Sequence, residues 1–267
     1  MGKSISDVHG VVPAVLSQVD LFAAQTQDVR ERLCAAAQLW QFTKGETVAE
    51  AVEPVEAVFI LVKGTFLNER VFENGKRMLT AVLSPGWPLK VPAVWSGDGS
   101  PFGLTARTDA VAILVPQEAF LSVVNSDIHF LRDITTFISR QYQQDTTNLQ
   151  IRTMCSLDCQ LALLLAFHAQ SAFHLGHEMG NGTSVEPMDV TQEEFASMLG
   201  CSRQKVIVIM RNMERKGMIQ RHGRLVEITD YMMLLGLIEE DERVHPNFRK
   251  VFEAWHARVV DAGQSKD

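Results

Sequence analysis

A chain of 267 residues, 46% hydrophobic and 21% charged, is long enough for two domains that each bury a core, and its balance is that of an ordinary globular protein. No apolar run reaches the length of a membrane span and the first residues lack a basic-then-apolar signal peptide, so a cytoplasmic protein with no membrane partner is expected. The net charge of −7 does not exclude nucleic acid, because the field that matters is local; four scattered cysteines, Cys34, Cys155, Cys159 and Cys201, argue against a disulfide framework.

Residues 1 to about 20 carry little pattern. Val29, Leu33 and Ala36–Ala37 predict a short helix from about Asp28 to Leu39. From Gln41 to about Val115 the signals are those of strands. Val58-Phe59-Ile60-Leu61-Val62 is a β-rich run, and Asn74-Gly75 between Val71-Phe72 and Met78–Leu83 marks a hairpin. Glycines at 45, 64, 75 and 86 punctuate short strands wound into a roll or barrel. Pro85-Gly86-Trp87-Pro88 and Ser96–Pro101 read as loops, and Val111–Val115 as a last buried strand.

Helix returns after Pro116. Gln117 to Asn125 makes a short one, and Asp127 opens a long one to about Met154, whose apolar residues thin out after Ile138. Such a helix suits packing on the barrel along one side and on a partner subunit along another; a solvent-covered helix within one domain is the alternative. Asp158 reads as a fresh N-cap before a core helix over Leu161–Phe167, and a glycine-rich loop, Gly176 to Thr183, follows.

The densest signals lie between Thr191 and Ile228. Thr191-Gln192-Glu193-Glu194 has the form of a capping box, and Phe195, Met198 and Leu199 share one helical face. Gly200 permits a sharp turn, and Ser202 caps the next helix, Arg203 to Lys216. That helix turns Val206, Ile209, Met210 and Met213 inward and Arg203, Gln204, Ile207, Val208 and Arg211 outward. A hairpin follows with His222-Gly223 at the turn and Arg221 and Arg224 beside it. From Thr191 to Arg224 seven basic side chains face three acidic ones, a local balance of +4. Arg and Gln in the first turn of a helix entering a major groove can reach base edges, and the helix N-terminus favours phosphate. A winged helix-turn-helix that binds double-stranded DNA is expected, against a plain helical hairpin with a solvated basic face.

Strand roll, long helix and winged helix-turn-helix together resemble the cyclic-AMP receptor protein / fumarate–nitrate regulator (Crp/Fnr) family of bacterial transcription factors. The residues that carry the resemblance best are Thr191-Gln-Glu-Glu-Phe-Ala-Ser-Met-Leu-Gly-Cys-Ser-Arg-Gln-Lys-Val206; Val62-Lys63-Gly64 resembles the family's strand–glycine landmark and Leu157-Asp158 its hinge. The resemblance covers about residues 25 to 237. It implies an α+β fold: a β-roll sensor of cyclic-nucleotide-binding type (a double-stranded β-helix or jelly roll) over 1–126, a dimerisation helix and hinge over 127–157, the winged helix-turn-helix over 158–240 and a C-terminal extension over 241–267. It further implies a homodimer on a palindromic operator, an effector between roll and long helix, and RNA polymerase as a partner.

The departures from the family pattern bear on the effector. The family's cassette carries Gly-Glu-Leu and, some ten residues on, an Arg, for the ribose and phosphate of a cyclic nucleotide. Here the first stretch reads Lys90-Val91-Pro92 and the Arg position falls near Pro101-Phe102, so cyclic AMP is not the expected effector. Thr147 falls about where the family's purine-contacting threonine lies. Only Cys34 lies in the N-terminal half, so no iron–sulfur cluster is expected. The pocket residues expected instead are Trp87, Leu89, Lys90, Trp95, Phe102, Gln141 and Tyr142, which suit a small apolar or aromatic molecule whose acidic group Lys90 meets; the alternative is that the aromatic residues simply fill the core. At DNA the expected residues are Thr191, Ser202, Arg203, Gln204, Lys205, Val208, Arg211, Arg221 and Arg224. Gln204 stands where the family has Glu, and Val208 where it has a second Arg, so a different half-site is implied.

Other chemistry is weaker. Cys155 and Cys159 with His168, His174 and His177 match no known zinc pattern, and buried packing is the plainer account. His9, Cys34 and His129 are the candidate haem ligands, none in a recognisable motif. Cys201, at a helix N-terminus, is a candidate redox thiol or a packing residue. No nucleophile–base pair, phosphate loop or paired-carboxylate motif stands out, so no enzyme is expected. Two hypotheses remain: an effector-responsive transcription factor, and an effector-independent or Cys201-controlled one whose roll is a dimerisation scaffold.

Overall fold

The computed structural model of the chain describes residues 2–7, 10–173 and 187–239, apart from the side chains of residue 147 and residues 167–173. The glycine-rich stretch at 176–183, the extension over 241–267, His9, His174, His177 and the side chains of Thr147 and His168 therefore lie outside the described residues. Two compact units divide after Tyr142.

The first unit opens with β1 (Lys3–Ile5), α1 (Val11–Leu16), α2 (Asp20–Ala23) and α3 (Gln27–Ala36). There follow β2 (Gln38–Phe42), β3 (Thr47–Ala49), β4 (Ala57–Lys63), β5 (Phe66–Val71), β6 (Arg77–Leu83), β7 (Pro88–Leu89), α4 (Val91–Ser96), β8 (Gly103–Ala106), β9 (Ala110–Pro116) and α5 (Gln117–Ser126). Nine strands form two sheets, ordered β1-β2-β9-β4-β7 and β3-β8-β5-β6. β4 is buried from Ala57 to Leu61 without alternation, which is how a strand covered on both faces reads. The β5–β6 hairpin turns at Asn74-Gly75, where Gly75 takes φ 76° and its N–H donates to the Phe72 carbonyl. At Gly64 (φ 89°) an added Cβ would sit 2.5 Å from the Asp109 carbonyl oxygen, so that bend between β4 and β5 requires glycine.

α6 (Ile128–Met154) begins in this unit and continues into the second. Asp127 caps it, its Oδ1 accepting from the N–H groups of His129 and Phe130 at 2.9 Å. Phe130 and Ile134 are fully buried in the core of the first unit, where the Phe130 ring meets Phe22 and Phe120 edge-on. Phe137 and Ile138 pack against the same core.

The second unit contains the end of α6, α7 (Leu157–Phe173), β10 (Met188–Asp189), α8 (Gln192–Leu199), α9 (Arg203–Arg215), β11 (Ile219–His222), β12 (Leu225–Ile228) and α10 (Tyr231–Glu239). α7 buries Cys159, Leu161, Ala162, Leu163 and Leu165, and packs with α10, which turns Leu234, Leu235 and Ile238 inward. The three short strands form a sheet in the order β10-β12-β11. Among the described residues no helix is long and apolar enough to cross a membrane.

Three local expectations are corrected. The first main helix stops at Ala36 rather than Leu39, because Leu39 pairs with Ile113 in the sheet and ladder pairing overrides the mild helical preference of the segment. Ser156, not Asp158, is the capping side chain of α7: its Oγ accepts from the Cys159 N–H at 3.2 Å, leaving Asp158 in the first turn, where its charge suits the helix dipole. The wing turn is Gly223-Arg224, since His222 and Leu225 are already paired.

Candidate nucleic-acid interface and ligand cassette

α8 starts with both halves of a capping box. The Thr191 N–H donates to Glu194 Oε2 at 2.7 Å and the Glu194 N–H donates to Thr191 Oγ1 at 3.1 Å. It ends at Gly200, whose φ of 62° turns the chain without strain. Ser202 Oγ then accepts from the Lys205 N–H and opens α9. Val206, Ile209, Met210 and Met213 are buried; Arg203, Gln204, Lys205, Val208 and Arg211 are exposed, Val208 to 56%. An exposed valine between cations is not explained by the packing of this unit. Arg203 Nε donates to Gln192 Oε1 at 3.2 Å, so the first residue of α8 holds the first residue of α9. The role of Gln192 was not legible in the sequence, because nothing in its spacing signals a contact across the turn.

The wing arginines differ from one another. Arg224 is mostly exposed, with Asp189 at 3.6 Å. Arg221 is only 19% exposed, and its Nη2 lies 2.5 Å from Glu214 Oε2. The hydrogen bond from Arg221 is the main cause holding the Glu214 carboxyl below its usual range, and the same bond raises Arg221. Arg221 thus ties β11 to the end of α9 rather than standing open to solvent. Burial pushes the Cys201 thiol up, with Lys205 opposing, which is the reverse of the low value a redox thiolate requires.

In the first unit β7 leads through Lys90 into α4. Lys90 has φ 67°, a left-handed backbone that costs a residue with a Cβ about 1–2 kcal/mol. Its ammonium donates to Asn68 Oδ1 at 3.1 Å, Ser100 Oγ at 3.0 Å and the Phe102 carbonyl at 2.5 Å. Asn68 is held in turn by Thr80, whose Oγ1 accepts from Asn68 Nδ2 at 2.7 Å. All three acceptors are neutral, and burial pushes the Lys90 ammonium down from 10.5 to about 8. Asn68 and Ser100 were not legible as partners, since they reach Lys90 only through the fold. Leu89 and Trp95 pack against the core, Trp87 and Phe102 are half-buried, and Gln141 is half-buried with its Oε1 unpartnered among the described residues. Tyr142, expected to reach a pocket from the long helix, is instead 72% exposed.

Cys155 and Cys159 are buried at the junction of α6 and α7. Cys34 is half-buried with its thiol raised by burial, and His129 is exposed.

Two family models match this chain: a cyclic nucleotide-binding domain over residues 39–127 and a Crp-like helix-turn-helix domain over residues 161–237. The chain is 22% identical over 216 residues to a CRP-like cAMP-activated global transcriptional regulator of Mycobacterium tuberculosis, covering 81% of this chain and 95% of that protein. It is 21% identical over 232 residues to the cAMP-activated global transcriptional regulator CRP of Haemophilus influenzae, covering 85% and 98%. Among solved structures, FixK2 from Bradyrhizobium japonicum superposes with a TM-score of 0.64 at 16% identity, covering 75% of this chain and 96% of that one. A cyclic nucleotide binding protein from Ruegeria pomeroyi superposes at 0.61 and 16% identity, covering 88% and 100%. These likenesses establish the shared fold.

Lys90 makes a prediction that concerns stability alone. Its folded value of about 8 lies below the ordinary 10.5, so the cost of burying the charged form is fully present below about pH 8 and is lost as pH rises toward 10.5. Compared with Lys90→Met, the wild-type chain should gain roughly 2–3 kcal/mol between those limits in urea unfolding series. A difference that is flat with pH would show that Lys90 does not enter the fold as a buried ammonium.

Proposed function

The chain belongs to the Crp/Fnr family of transcription regulators, and from that premise we propose that it reads a palindromic operator as a symmetric dimer, controlled by a small effector other than cyclic AMP. The family consists of regulators, not enzymes. One observation carries the DNA reading: Arg203 stands exposed at the first position of α9, aimed by Gln192, with Gln204 and Val208 beside it. An arginine there forks to guanine, Gln204 addresses adenine, and Val208 packs on a thymine methyl. Thr191, Ser202, Lys205, Arg211 and Arg224 meet phosphates, while Arg221 acts indirectly by fixing the wing through Glu214. The reading places the protein in the cytoplasm, with RNA polymerase as its partner at the promoter.

The dimer is supported by an apolar row on α6. Ile128, Tyr142 and Leu149 are 70%, 72% and 63% exposed and are spaced by multiples of seven, the repeat of a helix–helix seam. Ile138 is occupied with the core of the first unit, so the seam runs along this row instead. Two such heads present their recognition helices to successive major grooves, about 34 Å apart.

For the effector, the residues present do not fit a cyclic nucleotide. Between Trp87 and Gly103 the charged side chains are Lys90 and Asp98; Asp98 is exposed, and the Lys90 ammonium is held by the protein's own oxygens. No carboxylate serves a ribose there and no guanidinium a phosphate. Half-buried Trp87 and Phe102, with Gln141 Oε1 unpartnered among the described residues, support a largely apolar or aromatic ligand whose acidic group replaces one of the bonds to Lys90. The saturation of Lys90 and the packing of Leu89 and Trp95 also favour a second reading, in which the roll is a scaffold and operator binding needs no ligand.

Each part has its own test. Arg203→Ala should lower affinity for a selected operator by about 1–3 kcal/mol and relax one base position, whereas Lys205→Ala should weaken all duplexes alike. Equal losses on operator and random DNA would remove Arg203 from base reading. Leu149→Asp should sediment as a folded monomer and lose roughly 100-fold in operator affinity. A dimer unchanged by that charge would place the seam elsewhere. Calorimetry is expected to give no heat with cyclic AMP and micromolar binding with a member of an aromatic-acid panel. Micromolar cyclic AMP would overturn the effector reading, and an operator bound equally tightly without any ligand would leave the scaffold reading standing.

A further inference from the structure

The end of α8 decides where α9 points, because only Gly200, Cys201 and Ser202 separate them. The last carbonyls of a helix have no partner within it. At this end the Gly200 and Cys201 amides take the Ser197 and Ala196 carbonyls. The Met198 carbonyl is taken by a residue 46 positions earlier: Arg152, in the last turn of α6, donates from Nη1 at 3.0 Å. Desolvation lowers the Arg152 guanidinium, and the Asp145 carboxylate two turns back on the same helix opposes that fall. The backbone of Arg152 is fixed as well. Buried Gln160, on α7, donates from Nε2 to the carbonyls of Arg152 at 3.2 Å and Cys155 at 3.0 Å. Ile151, Cys155 and Cys159 are buried around this corner.

We propose that Arg152 is a positioning residue for DNA recognition: its guanidinium pins the C-terminal end of α8 to the last turn of α6 and so sets the aim of α9. A cation at the negative end of a helix, bonded to a carbonyl with no partner inside that helix, is favourable on both counts. The bond lies within the second unit, which holds the final turns of α6 together with α8 and α9. Gln192, at the start of α8, meets Arg203 at the start of α9. In this proposal Arg152 acts through α8 rather than by contact with a base or a phosphate. This inference rests on the DNA reading proposed above.

The experiment uses the full chain, an operator selected from random duplexes by the wild-type protein, and one random duplex. Arg152→Met keeps the aliphatic volume and removes the charge and the donors. It should lose roughly ten-fold in operator affinity, the worth of one charge-assisted hydrogen bond, while random-duplex affinity, the salt slope and the dimer are unchanged. Arg152→Lys, which returns a cation to the carbonyl, should recover to within about three-fold of wild type. A merely structural role would lower both affinities together with the unfolding temperature, and that result, or undiminished operator binding, overturns the proposal. If Arg152→Met does not fold, Asp145→Asn decides: it leaves the corner filled and should cost about three-fold on operator alone, from weaker orientation of the guanidinium. No change in that variant overturns the proposal. Failure of the wild-type chain to enrich any operator would instead strike the DNA reading itself.

Discussion

A thirteen-residue helix is marginal in water, because nucleating its first turn fixes several residues for a single hydrogen bond. α9 is therefore held by what its inner face buries. Val206, Ile209, Met210 and Met213 supply that face, and burying each side chain contributes about 1.5–3 kcal/mol before chain entropy is counted. With the inner stripe committed, the outer stripe is free of any packing duty and can carry arginine, glutamine and an exposed valine. The exposed face of α9, the wing bound to it by Glu214 and Arg221, and the corner at Arg152 all presuppose this one seam.

The same logic governs charge. Where an ionised group is drawn out of water, a partner comes with it: Glu69 is buried against Arg77, and Arg221 against Glu214. Lys90 departs from this, a buried ammonium satisfied by three neutral oxygens. Neutral dipoles can coordinate an ammonium well, yet they leave its net charge uncompensated. On the proposed effector reading that imbalance favours an acid, and on the scaffold reading the completeness of the hydrogen bonding lets the cassette stand without one. The two readings of the roll share these atoms and differ only in whether a ligand anion is a better partner than Asn68, Ser100 or the Phe102 carbonyl.

Arg221 and Arg152 also show how misleading a count of basic residues can be. Arg221 adds to the local positive balance and Arg152 to the charge of the same unit, yet one is bound to a carboxylate and the other to a helix end. Arg203, Lys205 and Arg211 along α9, Arg215 and Lys216 at its end and Arg224 in the wing are the cations of this region that are exposed. Salt dependence should therefore reflect fewer contacts than the composition suggests.

Features decided within a few residues were legible from the sequence alone. The Thr191–Glu194 box, the turn at Gly200, the Asn74-Gly75 hairpin and the Asp127 start of the long helix each depend on neighbours within about four positions. The inner and outer stripes of α9 follow from helical period, and so did the candidate DNA-facing set. Where competition between neighbours was close, local reasoning failed: Ser156 displaced Asp158 as the cap, and sheet pairing took Leu39 from the helix. Tertiary structure alone decided which charges are spent. Lys90 meets Ser100 and Asn68 at separations of 10 and 22 residues, and Arg152 meets Met198 at 46. No period or spacing encodes such meetings, because they depend on how whole elements pack. A side chain's type is written in the sequence, but its availability is settled by what the fold brings within three ångströms of it.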